Sequence, residues 1–322
     1  MKLLIPMSYF FGAPRSEVWQ LDTQSGQQRC LYTLPPSDRD VPGKGITGLT
    51  WLNNTQLLAC DFNRLLLLNR IDGEIIKEYA DDQFNDLHHV HVQGEYIYVA
   101  NTGRDSIDVL DHQLQRLERL DGLSATDWSQ RYHGDYAIRG AYYDRPDSGL
   151  PFYKRKVPDS WHFNHVLRDT RVANGRIVAT SFGRKQLVDA RTLEPLSSVL
   201  PDAPHDGLIA DDSIWITTVT GKIYRAPLTL PFAFECVLDL FAQAPKAGWC
   251  RGLLICENTL YIGITSIYEK SSRTAWLDRP LNETASGIYC VDLATLTLID
   301  FHDFTTVDGR RIFTVIDDHC LL

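Results

Sequence analysis

Asp206-Gly207-Leu208-Ile209-Ala210-Asp211-Asp212-Ser213-Ile214-Trp215-Ile216-Thr217-Thr218-Val219-Thr220-Gly221-Lys222-Ile223-Tyr224-Arg225 reads as a polar opening, a short apolar run, a turn, and two further strands with their own turn. Its apolar residues alternate with polar ones, and Asp and Gly punctuate the runs, which is the pattern of short antiparallel strands. The same opening, a polar residue ahead of a small or His position, recurs at Thr47-Gly48-Leu49, His88-His89-Val90, Asn164-His165-Val166 and Arg251-Gly252-Leu253. Each leads into a second strand: Gln56–Cys60, Glu95–Ala100, Arg176–Ser181, Ser213–Thr217 and Thr259–Thr265. Three consecutive openings follow one another at roughly 40 residues, the period of propeller blades, and the one doubled gap is filled by 121–160.

The expected fold is therefore an all-β, six-bladed β-propeller of four-stranded antiparallel blades, forming a single domain over residues 1–322. The N-terminal part supplies only three strands, Lys2–Met7, Glu17–Leu21 and Gln28–Leu34, so its blade lacks an innermost one. The run Arg311-Ile312-Phe313-Thr314-Val315-Ile316 can fill that place. The ring would then close by pairing the two ends of the chain, which removes exposed sheet edges.

In such a ring the starts of the innermost strands meet around one axis, so Thr47, His88, Asn164, Asp206 and Arg251 are expected at one mouth. Two insertions interrupt the repeat, at about 121–160 and 267–283, and both are rich in Tyr, Trp, Arg, Asp and Pro. An entry loop and a loop joining second to third strands emerge on the same face of an up-and-down blade, so both are expected to cover this mouth. Long aromatic loops on a rigid scaffold usually carry function.

The chemistry expected there has several parts. His88, Asn164 and Asp206 offer an imidazole, an amide oxygen and a carboxylate, which can hold one divalent metal ion. Equally, these groups can bond the loose backbone where strands converge. Asp206, His162 and His205 are the candidate catalytic residues, either histidine serving as a general base near neutral pH. Arg251 can clamp an anionic group with Trp249 stacked beside it, or equally form a structural salt bridge with an acid such as Asp206, and Asn101, Arg104 and Tyr268 are further candidate substrate contacts. In His88-His89-Val90-His91, alternation sends His88 to one face and His89 and His91 to the other. His89 and His165 fall in the column held elsewhere by Gly48, Gly207 and Gly252, and are read as packed core histidines.

The exclusions are equally specific. A net charge of −9, with acids and bases interspersed, argues against a nucleic-acid partner, which needs a clustered basic surface. No apolar stretch is long enough to span a bilayer, and Met1-Lys2-Leu3-Leu4-Ile5-Pro6-Met7 reads as a strand, not an export signal. The seven cysteines are scattered and lack paired spacing, which fits a reduced cytoplasm. Phosphate-binding glycine loops, nucleophile elbows and zinc-helix motifs are absent, so no organic cofactor is expected.

Two resemblances follow from these segments. Pro204-His205-Asp206-Gly207-Leu208 resembles the P-D-G-hydrophobic run of the gluconolactonase and senescence-marker-protein propellers, and Asn164 resembles the Asn of their S-N-G-L run. That resemblance implies Asp206 as metal ligand and base, with Asn164 as ligand; their first-blade Glu and a further Asn would fall near Thr47 and His88. More of the chain is similar to a family of bacterial six-bladed propellers of unknown function. The shared segments are His162-Phe163-Asn164 after an aromatic, Pro-rich insertion, Pro204-His205-Asp206, Arg251-Gly252-Leu253 and Ile312-Phe313-Thr314-Val315; His165 stands where that family often has Gly.

The sequence thus leads to a cytoplasmic enzyme of hydrolase or isomerase type acting on a small polar or anionic metabolite at the axial mouth. Its rival is a non-catalytic propeller that binds a ligand or a protein through Tyr142, Tyr143, Tyr153, Tyr268 and Trp276.

Overall fold

Leu3, Leu4 and Ile5 display the logic of assembly. Side chains alternate along a strand, so Leu3 and Ile5 pack against Tyr261 and Ile288 on one side, while Leu4 packs against Leu49 and Leu57 on the other. This strand, Lys2–Tyr9, second in blade 1, is therefore buried on both faces and reads as a nearly continuous apolar run. The computed structural model describes residues 1–124, 149–157, 159–172 and 175–318.

Among these residues six sheets form six blades. The inner strands of blades 2 to 6 are Ile46–Asn53, Leu87–Gln93, Phe163–Arg168, Pro204–Ala210 and Trp249–Cys256, and the remaining strands of each blade follow outward in chain order. Six hydrophobic clusters, one between each pair of adjacent blades, cement the ring. Each fully buried Leu or Ile contributes about 1.5–3 kcal/mol to that cement.

Blade 1 is closed by the C-terminal segment. Arg310–Ile312 pairs antiparallel with Tyr9 to Met7, and Ile316–Asp317 pairs with Leu4 and Leu3. Between them Phe313, Thr314 and Val315 leave the ladder, and all three are buried.

Blade 4 departs from the expected four strands. Its sheet has three, Phe163–Arg168, Ile177–Ser181 and Gln186–Asp189. The outer place holds one bridge from Val188 to Pro195, continued by the Leu196 N–H donating to the Leu187 carbonyl at 2.8 Å. Proline has no N–H to offer a ladder, so the bridge at Pro195 lacks that hydrogen bond and no regular fourth strand forms.

Every inner strand is irregular at its opening. The register slips between Ile46 and Gly48, Leu87 and His89, Phe163 and His165, Pro204 and Gly207, and Cys250 and Leu253. A bulge of this kind leaves residues unpaired and breaks strict alternation. Thr47, His88 and Asn164 are unpaired singly, and His205 with Asp206 and Arg251 with Gly252 as pairs.

The segment 267–283 is described in full, whereas 125–148 and 158 of the first insertion, with Tyr142 and Tyr143, lie outside the described residues. Among the described residues no helix is long and apolar enough to cross a membrane.

Candidate active site

The loose backbone at the blade openings is bonded mainly by hydroxyls of the second strands. Thr102, Thr180, Thr217 and Thr265 donate to the carbonyls of Phe163, His205, Arg251 and Ile312, each the inner strand of the following blade. Thr217 also accepts the N–H of Asp206 at 3.0 Å. With the backbone so satisfied, most polar side chains at the openings are free for other work.

Four of them form a cluster: His88, His205 and Arg251 gather around Phe313, and His162 lies against His88. The His88 ring lies 5.4 Å from His162, 5.9 Å from His205 and 5.5 Å from Phe313. The Arg251 guanidinium sits 4.1 Å over the Phe313 ring and 5.6 Å from the Trp249 ring, and its Nε donates to His205 Nε2 at 3.3 Å. None of the four retains more than 9% exposure.

Protons can be placed from these bonds. Thr102 gives its only proton to Phe163, so it must accept from His88 Nδ1 at 2.7 Å. The Nε2 lone pair of His88 is then open. His205 accepts from Arg251, which puts its proton on Nδ1. Burial pushes His88 down to about 3 despite the pull of Asp86, and burial together with Arg251 pushes His205 well below the usual histidine range. Both imidazoles are therefore neutral.

His162 differs. Its Nδ1 lies 2.7 Å from Asp159 Oδ2, and burial, which would lower it, is outweighed by that carboxylate, so its pKa rises. Its backbone is held by Asp105, whose carboxylate accepts the N–H of Ser160, Trp161 and His162 at 2.7, 3.0 and 2.8 Å. His162 adopts the left-handed region, with φ of 50°, a strain of about 1–3 kcal/mol that such anchoring holds in place. Phe182 packs on His162 at 5.0 Å and stacks on Trp249 at 6.2 Å, and Arg273 from 267–283 lies 5.8 Å from the Phe182 ring.

Arg251 is the unbalanced charge. Among the described residues it makes no ion pair, and its Nη1 is buried with no hydrogen-bond partner. Burial and the neighbouring Arg311 push it well below the usual arginine range. For a group that keeps its proton, this measures an unmet demand for an anion. The nearby Asp86 does not supply it, being paired with Lys44 at 2.9 Å.

Asp206 and Asn164 belong to the same openings but face different partners. Asp206 Oδ1 meets His165 Nε2 at 2.6 Å and the Gly207 N–H at 2.9 Å, and Oδ2 accepts from Leu253 N–H at 3.2 Å. Burial raises this carboxyl to about 7. Asn164 donates to the Pro204 carbonyl at 3.3 Å, and its Oδ1 is buried without a partner. An orphaned amide oxygen and the open His88 Nε2 fit a cation, whereas the Asp206 oxygens are turned toward His165 and backbone.

Among the described residues, the group of His and Asp side chains whose ligand atoms converge within 4.8 Å is His89, His165 and Asp206. His89 and His165 pack on each other, as their place in the glycine column leads one to expect, with ring centroids 3.5 Å apart. Burial pushes both imidazoles well below the usual range. His88, the unpaired residue of the bulge between Leu87 and His89, joins the mouth cluster instead.

Three sequence candidates lie apart from the cluster. Asn101 spends its amide on Gln83 and Asp108 and its oxygen on the Asn85 N–H. Arg104 pairs with Asp121 at 3.0 Å. Tyr268 packs edge-on against Phe10 and Phe11 at 5.1 and 5.0 Å. Conversely, Asp159, Asp86 and Phe313 join the site without having been singled out for it. Asp159 was findable as an acid three residues before a histidine.

No family model matches this sequence, and no curated protein does. Solved structures do. One is a protein of unknown function from Bacteroides caccae, at a TM-score of 0.61 and 10% identity, covering 98% of this chain and 97% of that one. A second is a protein from Bacteroides uniformis provisionally named 6-phosphogluconolactonase, at a TM-score of 0.53 and 14% identity, covering 92% of this chain and 80% of that one. A similarly named protein from Bacteroides fragilis matches at 0.53 and 12%, covering 98% and 97%. The likeness is one of fold. At these identities it carries no residue of the mouth from one protein to another.

Proposed function

We propose that this propeller is an enzyme that binds a small anionic metabolite at the axial mouth and moves a proton on it, in a hydrolytic or isomerising reaction. The observation that carries this reading is the buried Arg251 guanidinium, which has no ion pair among the described residues and lies beside His205 in the same cluster as His162. Arg251 would hold the anionic group through its Nη atoms, flanked by Phe313 and Trp249. His162, oriented by Asp159, takes the proton through Nε2. His88 Nε2 and His205 Nδ1 offer an acceptor and a donor to the rest of the ligand. A cluster of buried groups with pKa values pushed apart supports chemistry over simple binding.

Two structural neighbours are provisionally named 6-phosphogluconolactonases, which makes a phosphorylated sugar lactone the first substrate to try. Its phosphate suits Arg251. Water would add to the lactone carbonyl, giving a proton to His162, and the ring C–O bond would break with that proton returned to the departing alkoxide. A divalent ion held by His88, Asn164 and Asp206 is left out of this reading, because both Asp206 oxygens are engaged by His165 and backbone N–H groups and His88 Nε2 serves the ligand. The unpaired cysteines support a reducing, cytoplasmic setting.

A second reading, a propeller that only binds, is favoured by the exposed Phe11 and Tyr268, 51% and 38% accessible and in contact with each other. The two separate in one experiment. Hydrolysis of 6-phosphogluconolactone is followed by proton release for the wild type, His162→Ala and Arg251→Met. Turnover lost in both variants supports the enzyme; phosphate-dependent binding without turnover leaves the binding module, and neither removes the assignment to the mouth.

A further inference from the structure

We propose that His89, His165 and Asp206 form a site for one divalent transition-metal ion inside the axial channel, just past the mouth cluster. The three come from consecutive blades 3, 4 and 5, and one ligand atom of each lies within 4.8 Å of the others. Asp206 and His165 are almost fully buried and His89 partly so.

Packing does not account for the imidazoles. Blades 2, 5 and 6 fill the same column with Gly48, Gly207 and Gly252. At Gly48 a Cβ would come within 3.1 Å of the His89 backbone, and at Gly252 within 3.1 Å of the Thr314 backbone. The ring thus closes at this level without side chains. Moreover, His165 Nδ1 is buried with no hydrogen-bond partner.

Solvent reaches the site from the side opposite the mouth. A cavity of about 330 Å³, lined by residues of all six inner strands, takes in His89, His165 and Asp206. Two imidazoles with one carboxylate suit a borderline first-row ion such as zinc(II) or cobalt(II), whereas magnesium and calcium favour all-oxygen sets. Three protein ligands leave a position toward the cavity for water.

Binding would cost a defined rearrangement. His165 Nε2 and Asp206 Oδ1, now 2.6 Å apart and sharing a proton, must open to the ~3.3 Å that separates two ligands around a tetrahedral ion, and that proton is released. The His89 and His165 rings, stacked with planes tilted by 29°, must splay so that their lone pairs converge. The cavity alongside gives them room.

The test is titration of chelator-treated protein with cobalt(II), read by its visible absorption and competed by zinc(II). One equivalent per chain is expected, weakened about tenfold or more in His89→Ala and in Asp206→Asn, and unchanged in His88→Ala. Melting curves verify that the variants fold. If a variant does not, X-ray absorption of the zinc-loaded wild type counts the ligands, with two imidazoles expected. No saturable binding, or binding that survives both variants, overturns the site. Loss in His88→Ala with retention in His89→Ala moves the ion to the mouth. Each of these failures leaves the roles of Arg251 and His162 standing, since neither acts through the ion.

Discussion

The Nε–H of Arg251 donates to Nε2 of His205 at 3.3 Å, and this contact ties an unbalanced cation to a neutral imidazole. Replacing the cation tests what it is for. Arg251→Met keeps an unbranched side chain beside Phe313 and removes the charge. A buried charge held for binding is a burden on stability, so the variant is expected to melt like the wild type or to gain about 1 kcal/mol. It is also expected to lose all stabilisation by phosphorylated ligands. Denaturation with and without ligand reads both. A loss of more than about 3 kcal/mol without ligand would mark a partnered, structural charge instead.

Asp159 and His162 make opposite shifts. Burial opposes both charges, yet each group is the other's counter-charge, and His162 moves up while Asp159 moves down. For His162 the resulting stabilisation is complete below its unfolded pKa of ~6.5 and is lost as pH rises through the raised folded value. For Asp159 it is present above ~3.9 and is lost as pH falls through the depressed folded value. Asp159→Asn should therefore lower the His162 midpoint, flatten the stability profile on both flanks, and shift the acidic limb of any activity, where the base loses its proton, to lower pH. Histidine NMR titration measures the first effect directly; an unmoved midpoint would deny Asp159 its orienting role.

The fold was more legible than the site, and the reason is local. Blade openings are marked by Gly48, Gly207 and Gly252, which leave a signature because strands crowd there, and the closing strand by the apolar run around Ile312. The split between His88 and His89 was legible, because alternation alone sends them to opposite faces; the convergence of His89 and His165 on Asp206 was not, because the three come from different blades. Asn101 looked like a mouth residue by its place at a strand end, but its amide is consumed by Gln83 and Asp108. Partners of this kind come from distant segments, and no spacing in the sequence reveals them. The same holds for Phe313, legible as part of a strand yet acting where that strand leaves the ladder.

Thr217 links the two levels of the channel. Its buried hydroxyl accepts the Asp206 N–H at 3.0 Å and donates to the Arg251 carbonyl at 2.8 Å. Thr217→Val keeps shape and removes both bonds, leaving two buried backbone groups without that partner. A loss of about 1–3 kcal/mol is expected, with weaker anion binding, because both residues lose a fixed backbone. Urea denaturation gives the first quantity and ligand titration the second. A change within about 0.5 kcal/mol would mean that the openings are held by packing alone.

Ring closure is the last dependency. Ile312 is fully buried in the cluster between blades 6 and 1 and pairs with Met7, and Asp318 accepts three hydrogen bonds from Arg70, at 2.6, 2.7 and 3.1 Å. Removing residues from Arg310 onward would expose the edge of Lys2–Tyr9, strand the cluster of Leu3, Ile5 and Phe304, and take Phe313 from beneath Arg251. The truncated chain is expected to lose its cooperative melting transition and to aggregate through the free edge. Ile312→Ala, a milder injury, should cost about 2–5 kcal/mol while leaving the ring closed. Calorimetry distinguishes the two: a truncation that melts like the full chain would mean that blade 1 holds together without the strand that joins its ends.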